Sequence, residues 1–339
     1  MSSSVRMLPS GREFVSEGNS NLLEAGLRAG LRLGYGCSNG NCGKCAAKVV
    51  SGEVQKTRLH DYIFTRQELA SGHVLMCSNS AVTDVVLHAG EAQSASDIPM
   101  QQITAKVKSI NIVNDNVALL HMRTPRTNRL RFLAGQYVQL GRNGVPVASH
   151  PVGSCPCDDM HLHFQIPREA GDTFSDHVFS TLKSGDPLDI IGPMGDFILD
   201  EASTRRLIFI ARHTGFAPIR SLVEHAMALE LADAIHLVWV AENKQDRYLD
   251  NLCRSWADAL DDFHYIPIDA GQEKSADEIG RELVRQLNFG PDEMIDHDCY
   301  IAGNEAFISA CKLAMINAGL PPMQLMTDQT PDHGSSTSV

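Results

Sequence analysis

The chain reads as a multidomain protein of mixed α+β and α/β class, and three stretches of sequence predict this. Near the start, a loop dense in glycine and cysteine, LGYGCSNGNCGKC at 33–45, sits between short strand-like segments and one helical segment. From residue 102 to residue 197, short segments of alternating apolar and polar residues dominate, as in an antiparallel sheet closing into a small barrel. After residue 197, buried apolar runs alternate with helical segments, the pattern of a parallel sheet covered by helices. At 339 residues the chain is too long for one typical core, which fits this division into three.

The elements follow in order. Residues 5–8 and 13–15 have strand character and are joined by the Pro9-Ser10-Gly11 turn. Asn21 with Glu24 three positions later marks a helix start, after which Leu22, Leu23 and Leu27 share one apolar face. AAKVVSGEV at 46–54 returns to strand spacing, with a turn at Ser51-Gly52. EAQSASDIPM at 91–100 is small, polar and nearly ends on Pro99, so it reads as a linker. Strands are expected at 117–122, 136–140 and 161–166; in the last, Leu162, Phe164 and Ile166 share one face and His161, His163 and Gln165 the other. Strands RLIFIA, IHLVWV, HYIPI and CYIA then alternate with helices at 219–231, 248–261, 277–287 and 305–318. The expected units are 1–95, 100–199 and 204–330, with a disordered tail at 331–339.

Composition excludes several classes of function. Hydrophobic residues at 43% and charged residues at 21% are ordinary for a globular protein. No apolar run approaches the roughly 20 residues that cross a bilayer, and MSSSVRMLPSGREF lacks a secretory stretch, so no membrane insertion and a cytoplasmic location are expected. There the nine cysteines read as thiols, metal ligands and small core residues rather than as a disulfide framework. A net charge of −12 argues against nucleic acid as partner and suits solubility or a basic redox partner.

The cysteines carry the chemistry. Cys37-x4-Cys42-x2-Cys45, with Cys77 further on, is the spacing that supplies four thiolates to a [2Fe-2S] cluster. Gly36, Gly40 and Gly43 let backbone amides approach the sulfurs. Zinc sites favour two paired Cys-x2-Cys knuckles, which this segment lacks. On GCSNGNCGKC at 36–45 and LMCSN at 75–79, residues 1–95 resemble a plant-type ferredoxin, which implies a β-grasp fold. LAGQYVQL at 133–140, GPMGDF at 192–197, ARHTGFAPIRSLVEH at 211–225 and YIAGNEAF at 300–307 resemble, in order and spacing, a ferredoxin-NADP reductase-like module. The whole is similar to reductase components of bacterial multicomponent oxygenases and to the reductase of deoxysugar biosynthesis. That resemblance implies an NADH-dependent oxidoreductase in which FAD takes a hydride from NADH and passes single electrons to the cluster. The electrons then go to a terminal oxygenase, a hydroxylase or another redox metalloenzyme.

The resemblance also assigns residues, and the sequence departs from several of them. The flavin signature Arg-x-Tyr-Ser falls on Ala148-Ser149-His150-Pro151, leaving His150 to stack on the ring, with Pro151, Val152 and Ile166 beside it. Phe174-Ser175, following Gly171, resemble the turn whose helix N-terminus meets the flavin pyrophosphate. The nicotinamide loop Gly-Gly-Thr-Gly falls on Arg212-His213-Thr214-Gly215, followed by an intact Ala217-Pro218. The late Cys-Gly-Pro motif reads Ala302-Gly303-Asn304, and Glu242 suits the ribose hydroxyls of NADH better than a 2′-phosphate. These departures leave open a second reading, an iron–sulfur carrier or assembly subunit whose reductase units are a docking scaffold. Elsewhere plain readings serve. Cys155-Pro156-Cys157 reads as a pair of incidental loop residues, His161 and His163 as strand alternation, and Cys253, Cys299 and Cys311 as buried hydrophobes. Leu222, Val223 and Ala226 read as helix packing.

Overall fold

A computed structural model describes the chain except residues 1, 19, 93, 143–144, 272–273 and 330–339, so the expected tail at 331–339 lies outside the described residues. The first unit comprises β1 (Ser2–Leu8), β2 (Glu13–Glu17), α1 (Leu22–Arg28), β3 (Ala46–Ser51), β4 (Val54–Lys56), α2 (Arg66–Ala70), β5 (His73–Leu75), β6 (Asn79–Ala81) and β7 (Val85–His88). Its main sheet runs β2-β1-β7-β3-β5, with β1 and β7 parallel, which is a β-grasp. Asn21 caps α1 by accepting the Glu24 amide at 2.9 Å, as the sequence predicts. Leu22, Leu23 and Leu27 then bury against Val5, Met7 and Phe14. Each such side chain contributes about 1.5–3 kcal/mol when fully buried.

The second unit holds β8 (Gln101–Asn114), β9 (Val117–Arg123), β10 (Tyr137–Arg142), β11 (Val145–Pro151), β12 (His161–Pro167), α3 (Thr173–Ser180) and β13 (Pro187–Met194). Its antiparallel sheet runs β11-β10-β13-β8-β9-β12. β8 is 14 residues long because its first part pairs with β13 and its second with β9, a long-range split that local alternation does not reveal. On β12, Leu162, Phe164 and Ile166 are buried as predicted; His161 pairs with Asp158 and His163 faces His121, so strand alternation accounts for both.

The third unit contains β14 (Arg206–Arg212), α4 (Phe216–Leu229), β15 (Ile235–Ala241), α5 (Asp250–Ala259), β16 (Phe263–Asp269), α6 (Ala276–Leu287), α7 (Pro291–Met294), β17 (His297–Gly303), α8 (Glu305–Asn317) and β18 (Leu325–Gln329). The parallel sheet, β16-β15-β14-β17-β18, carries a core on each face. Leu222, Val223 and Ala226 lie in one core with Cys253; Cys299 and Cys311 lie in the other. The sequence reading lacks β18, whose LMTDQ has no apolar run, and the four-residue α7. Among the described residues no helix is long and apolar enough to cross a membrane.

All three units meet at the Glu201 carboxylate. Glu201, between β13 and β14, pairs with Arg12, with Arg32 Nε at 2.5 Å and with His225 Nε2 on α4 at 3.2 Å. Arg32 also donates to the Leu199 carbonyl at 3.3 Å. A second contact sets Arg129 between Asp159 at 3.0 Å and Glu24 at 3.7 Å. Burial alone would raise the Glu201 carboxyl, but the His225 hydrogen bond and the arginine charges hold it at about 2. A depressed carboxyl stabilises the fold above its ordinary value of 4.5, and that contribution is lost as pH falls from there through about 2. Glu201→Gln strands two arginines, so it is expected to cost about 3–5 kcal/mol in denaturant unfolding and to flatten the acid limb of the stability profile. An unchanged unfolding curve would show that the junction contributes nothing.

Candidate redox site

The cysteine loop has little regular structure and is held by backbone geometry. Ser38 (φ 53°), Gly40 (φ 91°) and Gly43 (φ 75°) are left-handed, which turns the chain back on its own sulfurs. The amides of Asn41 and Cys42 both donate to Cys37 Sγ at 3.3 Å, and the Cys37 amide donates to Cys42 Sγ at 3.4 Å. Cys45 and Cys77 are buried, and the Met76 amide donates to the Cys45 carbonyl at 3.0 Å, joining the two segments that carry them. Residues 57–64 lie over the loop: Tyr62 N donates to the Gly40 carbonyl at 3.0 Å and Arg58 to the Ser38 carbonyl at 3.1 Å.

The electrostatics draw Cys37 and Cys77 toward the thiolate, the ligand form, and Cys45 the other way. Burial works to raise the Cys37 thiol, yet amide hydrogen bonds leave it below its ordinary value. Hydrogen bonds from Cys45 and Ser78 draw Cys77 down to about 6, while its contact with Cys77 and burial push Cys45 up. Four sulfurs in the plant-type spacing, with amides aimed at them and no room for side chains at the glycines, fit a [2Fe-2S] cluster.

A second site lies where edge strands β11 and β12 meet the start of α4. His150 is buried with its ring 5.3 Å from Phe174, and its Nε2 has no hydrogen-bond partner among the described residues. Burial lowers this imidazole to about 4, so it is neutral at physiological pH. Across the seam Tyr248 donates to Gln165 Oε1, and the buried Gln165 Nε2 also lacks a partner. Val152, Ile166, Phe174 and Ser175 are buried nearby and Pro151 is half-buried. An apolar seam with two unsatisfied polar atoms suits the ring of a flavin, which is flat and hydrogen-bonds at one edge.

The phosphate side differs from the sequence-based expectation. The N-terminus of α3, expected to face the pyrophosphate, is capped by Asp172, whose carboxylate accepts Phe174 N at 3.0 Å and Ser175 N at 3.3 Å. Ser175 Oγ is committed as well, donating to the Pro167 carbonyl at 3.0 Å and accepting from Glu169 N at 3.1 Å. While Asp172 holds this position, those amides are not offered to a diphosphate.

The third site is at the C-terminal ends of β14, β15 and β17, where ligands bind open α/β sheets. A cavity of about 460 Å³ opens between these ends and the β8–β9 hairpin, lined by Asn116, Arg212, His213, Glu242, Tyr248 and Lys274. Thr214 and Gly215 form a tight turn into α4, and a Cβ at Gly215 would stand 2.4 Å from the Ala302 carbonyl, so only glycine fits there. Ala217 and Pro218 continue into the buried first turn of α4. Gly303 ends β17, and a Cβ there would meet Phe307 at 2.7 Å. Glu242 is an engaged group: His213 Nε2 lies at 3.0 Å and Arg212 Nη2 at 3.2 Å. Burial works against its charge, but these partners hold the carboxyl at about 2. The structure therefore gathers Thr214, Gly215, Ala217, Pro218, Glu242 and Gly303 at one end of the sheet. The sequence reading did not single out Glu201, Asp172 or the Tyr248–Gln165 bridge. Of these only Asp172 carries a local signal, as an acidic residue at a helix start.

This combination, a four-cysteine loop on a β-grasp joined to a barrel and a nucleotide-binding sheet, defines an iron–sulfur, nicotinamide-linked oxidoreductase. The 2Fe-2S iron-sulfur cluster binding domain matches residues 5–81, and the oxidoreductase NAD-binding domain matches residues 209–312. The CDP-6-deoxy-L-threo-D-glycero-4-hexulose-3-dehydrase reductase of Yersinia pseudotuberculosis is 30% identical over 329 residues, 97% of this chain and 98% of that one. Reductase component 2 of terephthalate 1,2-dioxygenase from Comamonas is 30% identical over 311 residues, 91% of each chain. The crystal structure of an Amycolatopsis cytochrome P450 reductase shares the fold, with a TM-score of 0.61 at 23% identity over 96% of this chain and 98% of that one. The chain belongs to the family of [2Fe-2S] reductases with a ferredoxin-reductase-type flavin and nicotinamide module.

The cluster loop yields a direct expectation. A Cβ at Gly43 would stand 2.2 Å from the Tyr62 ring on a left-handed backbone, so Gly43→Ala strains the loop that carries Cys42 and Cys45. Iron and acid-labile sulfide per chain after anaerobic reconstitution should fall at least about twofold, matching the strain expected at such a position. Full loading of the variant would show that the loop geometry is not needed.

Proposed function

We propose that this NADH-dependent reductase holds its cluster on Cys37, Cys42, Cys45 and Cys77 within residues 1–95. We assign the flavin ring to His150, Pro151, Val152, Ile166, Phe174 and Ser175 within residues 100–199. Thr214, Gly215, Ala217, Pro218, Glu242 and Gly303, within residues 204–330, receive NADH. FAD, when bound, supplies the conversion of a two-electron hydride donor into one-electron steps. This chain's residues supply the rest. Glu242, fixed by Arg212 and His213, presents a carboxylate suited to ribose hydroxyls. His150 stays neutral and offers an unpaired ring nitrogen.

The observation that carries this reading is the junction at Glu201, which docks the cysteine-bearing unit onto the other two. Cys42 is exposed, and Leu59 and Ile63, 88% and 87% exposed, project from the segment covering its loop. An apolar rim beside an exposed ligand suits docking to a terminal metalloenzyme. The relatives named above serve a dioxygenase and a dehydrase. We assign this chain's exit to an oxygenase or hydroxylase.

Two measurements test this. Anaerobic NADH, added to the reconstituted chain with FAD, is expected to bleach the visible iron–sulfur absorption; a spectrum bleached by dithionite but not by NADH would overturn the reading. Leu59→Glu is expected to lower kcat/KM for transfer to the terminal partner about tenfold, the scale of losing one anchoring contact, and to leave ferricyanide reduction unchanged. Equal loss with both acceptors would place the defect inside the chain and refute the docking face.

A further inference from the structure

The two cysteines that read as incidental loop residues are joined: Cys155 and Cys157 form a disulfide, with Cα atoms 5.2 Å apart. Their surroundings do not resemble an inert loop. Cys155 is buried, its amide donates to Glu224 Oε2 on α4 at 3.1 Å, and its Sγ lies 3.8 Å from His225 Nδ1. The other ring nitrogen of His225 faces the Glu201 carboxylate at 3.2 Å, which assigns the proton to Nε2 and leaves the Nδ1 lone pair toward the sulfur. The Cys157 amide donates to Cys155 Sγ at 3.2 Å. A thiol facing a base that a carboxylate orients, with a backbone donor on the sulfur, is the arrangement that activates cysteine. Cys157 is half-buried and lines a cavity of about 410 Å³ beside Glu24, Leu27 and Arg28 of α1, where an incoming thiol could reach it.

The same loop borders the cluster-bearing unit. Two residues beyond Cys157, Asp159 pairs with Arg129 at 3.0 Å, and its backbone carbonyl accepts Thr124 Oγ1 at 2.9 Å. It also neighbours the buried Tyr35, two positions before Cys37. The disulfide thus shortens the loop between a residue bonded to α4 and a residue set against the entry to the cysteine loop.

We propose that Cys155 and Cys157 are a thiol–disulfide exchange site that adjusts how firmly the iron–sulfur unit is docked. In reduction, a thiolate of an external dithiol attacks Cys157 Sγ; the Cys155–Cys157 bond breaks and Cys155 leaves as a thiolate, which takes a proton. The second thiol of the reagent then closes its own disulfide and releases Cys157, so two electrons and two protons pass from the dithiol to the pair. In oxidation by an external disulfide, His225 Nδ1 accepts the Cys155 proton as the reverse sequence runs. Opening the bond lengthens the loop and loosens the contacts of Asp159.

The test uses the full-length, cluster-loaded chain, equilibrated without oxygen in a series of glutathione and glutathione disulfide buffers, then differentially alkylated and read by mass spectrometry. Cys155 and Cys157 are expected to change state together as one two-electron couple. In the reduced protein, and in the Cys155→Ser/Cys157→Ser variant with its visible cluster spectrum intact, amide hydrogen exchange over residues 22–37 is expected to rise about tenfold, the signature of local opening. A pair that keeps one state across the whole series would overturn the proposal. So would interconversion that leaves exchange over 22–37 unchanged.

Discussion

One carboxylate ties all three units of the molecule together. Glu201 stands between two guanidinium groups from the β-grasp unit and an imidazole from α4. Polar and charged groups are costly to bury without partners, so each depends on the others, and units whose cores are separate become one assembly. The cysteine loop begins close to this junction: Arg32 lies five residues before Cys37. The orientation of His225 follows from the same interaction, because the hydrogen bond it donates to Glu201 leaves its other nitrogen facing Cys155.

From that docking the functional layout follows. In the proposed layout NADH binds at the C-terminal ends of the parallel strands and the flavin ring in the seam where the barrel edges meet α4, while the cysteine loop leaves Cys42 exposed. Flavin recognition is unevenly distributed. Apolar walls and unpaired polar atoms favour the ring, while Ala148 supplies no cation and Asp172 occupies the α3 amides. A flavin held mainly by its ring is held less tightly than one also anchored at its phosphates, because charge-assisted contacts are the stronger ones. Glu242 shows the opposite case, a carboxylate that the sequence assigns to ribose hydroxyls and that two basic neighbours clamp in the fold.

Features set by neighbours in sequence were legible beforehand. Cys37, Cys42 and Cys45 lie within one loop, and the cap of α1 spans only Asn21 and Glu24. Strand and helix periodicity likewise located most of the barrel and the parallel sheet. What escaped depends on distant pairs. Glu201 acts through residues 12, 32 and 225, and Gln165 meets Tyr248 from 83 positions away. The length of β8 reflects two different partners, and β18 owes its place to β17 rather than to its own polar sequence. Cys155-Pro156-Cys157 is ambiguous by spacing alone, since its bond and its contact with His225 appear only once α4 is packed against the barrel.

The central claim is that electrons reach the cluster through a junction fixed by Glu201, and one kinetic comparison tests it most directly. In anaerobic stopped-flow with NADH, FAD and the cluster-loaded chain, flavin reduction and cluster reduction are followed at separate wavelengths in the native protein and in Glu201→Gln. The account predicts unchanged flavin reduction and cluster reduction slowed at least about tenfold, since loosened docking lengthens the path between centres while leaving each site built. Cluster reduction at the native rate in the variant would contradict it.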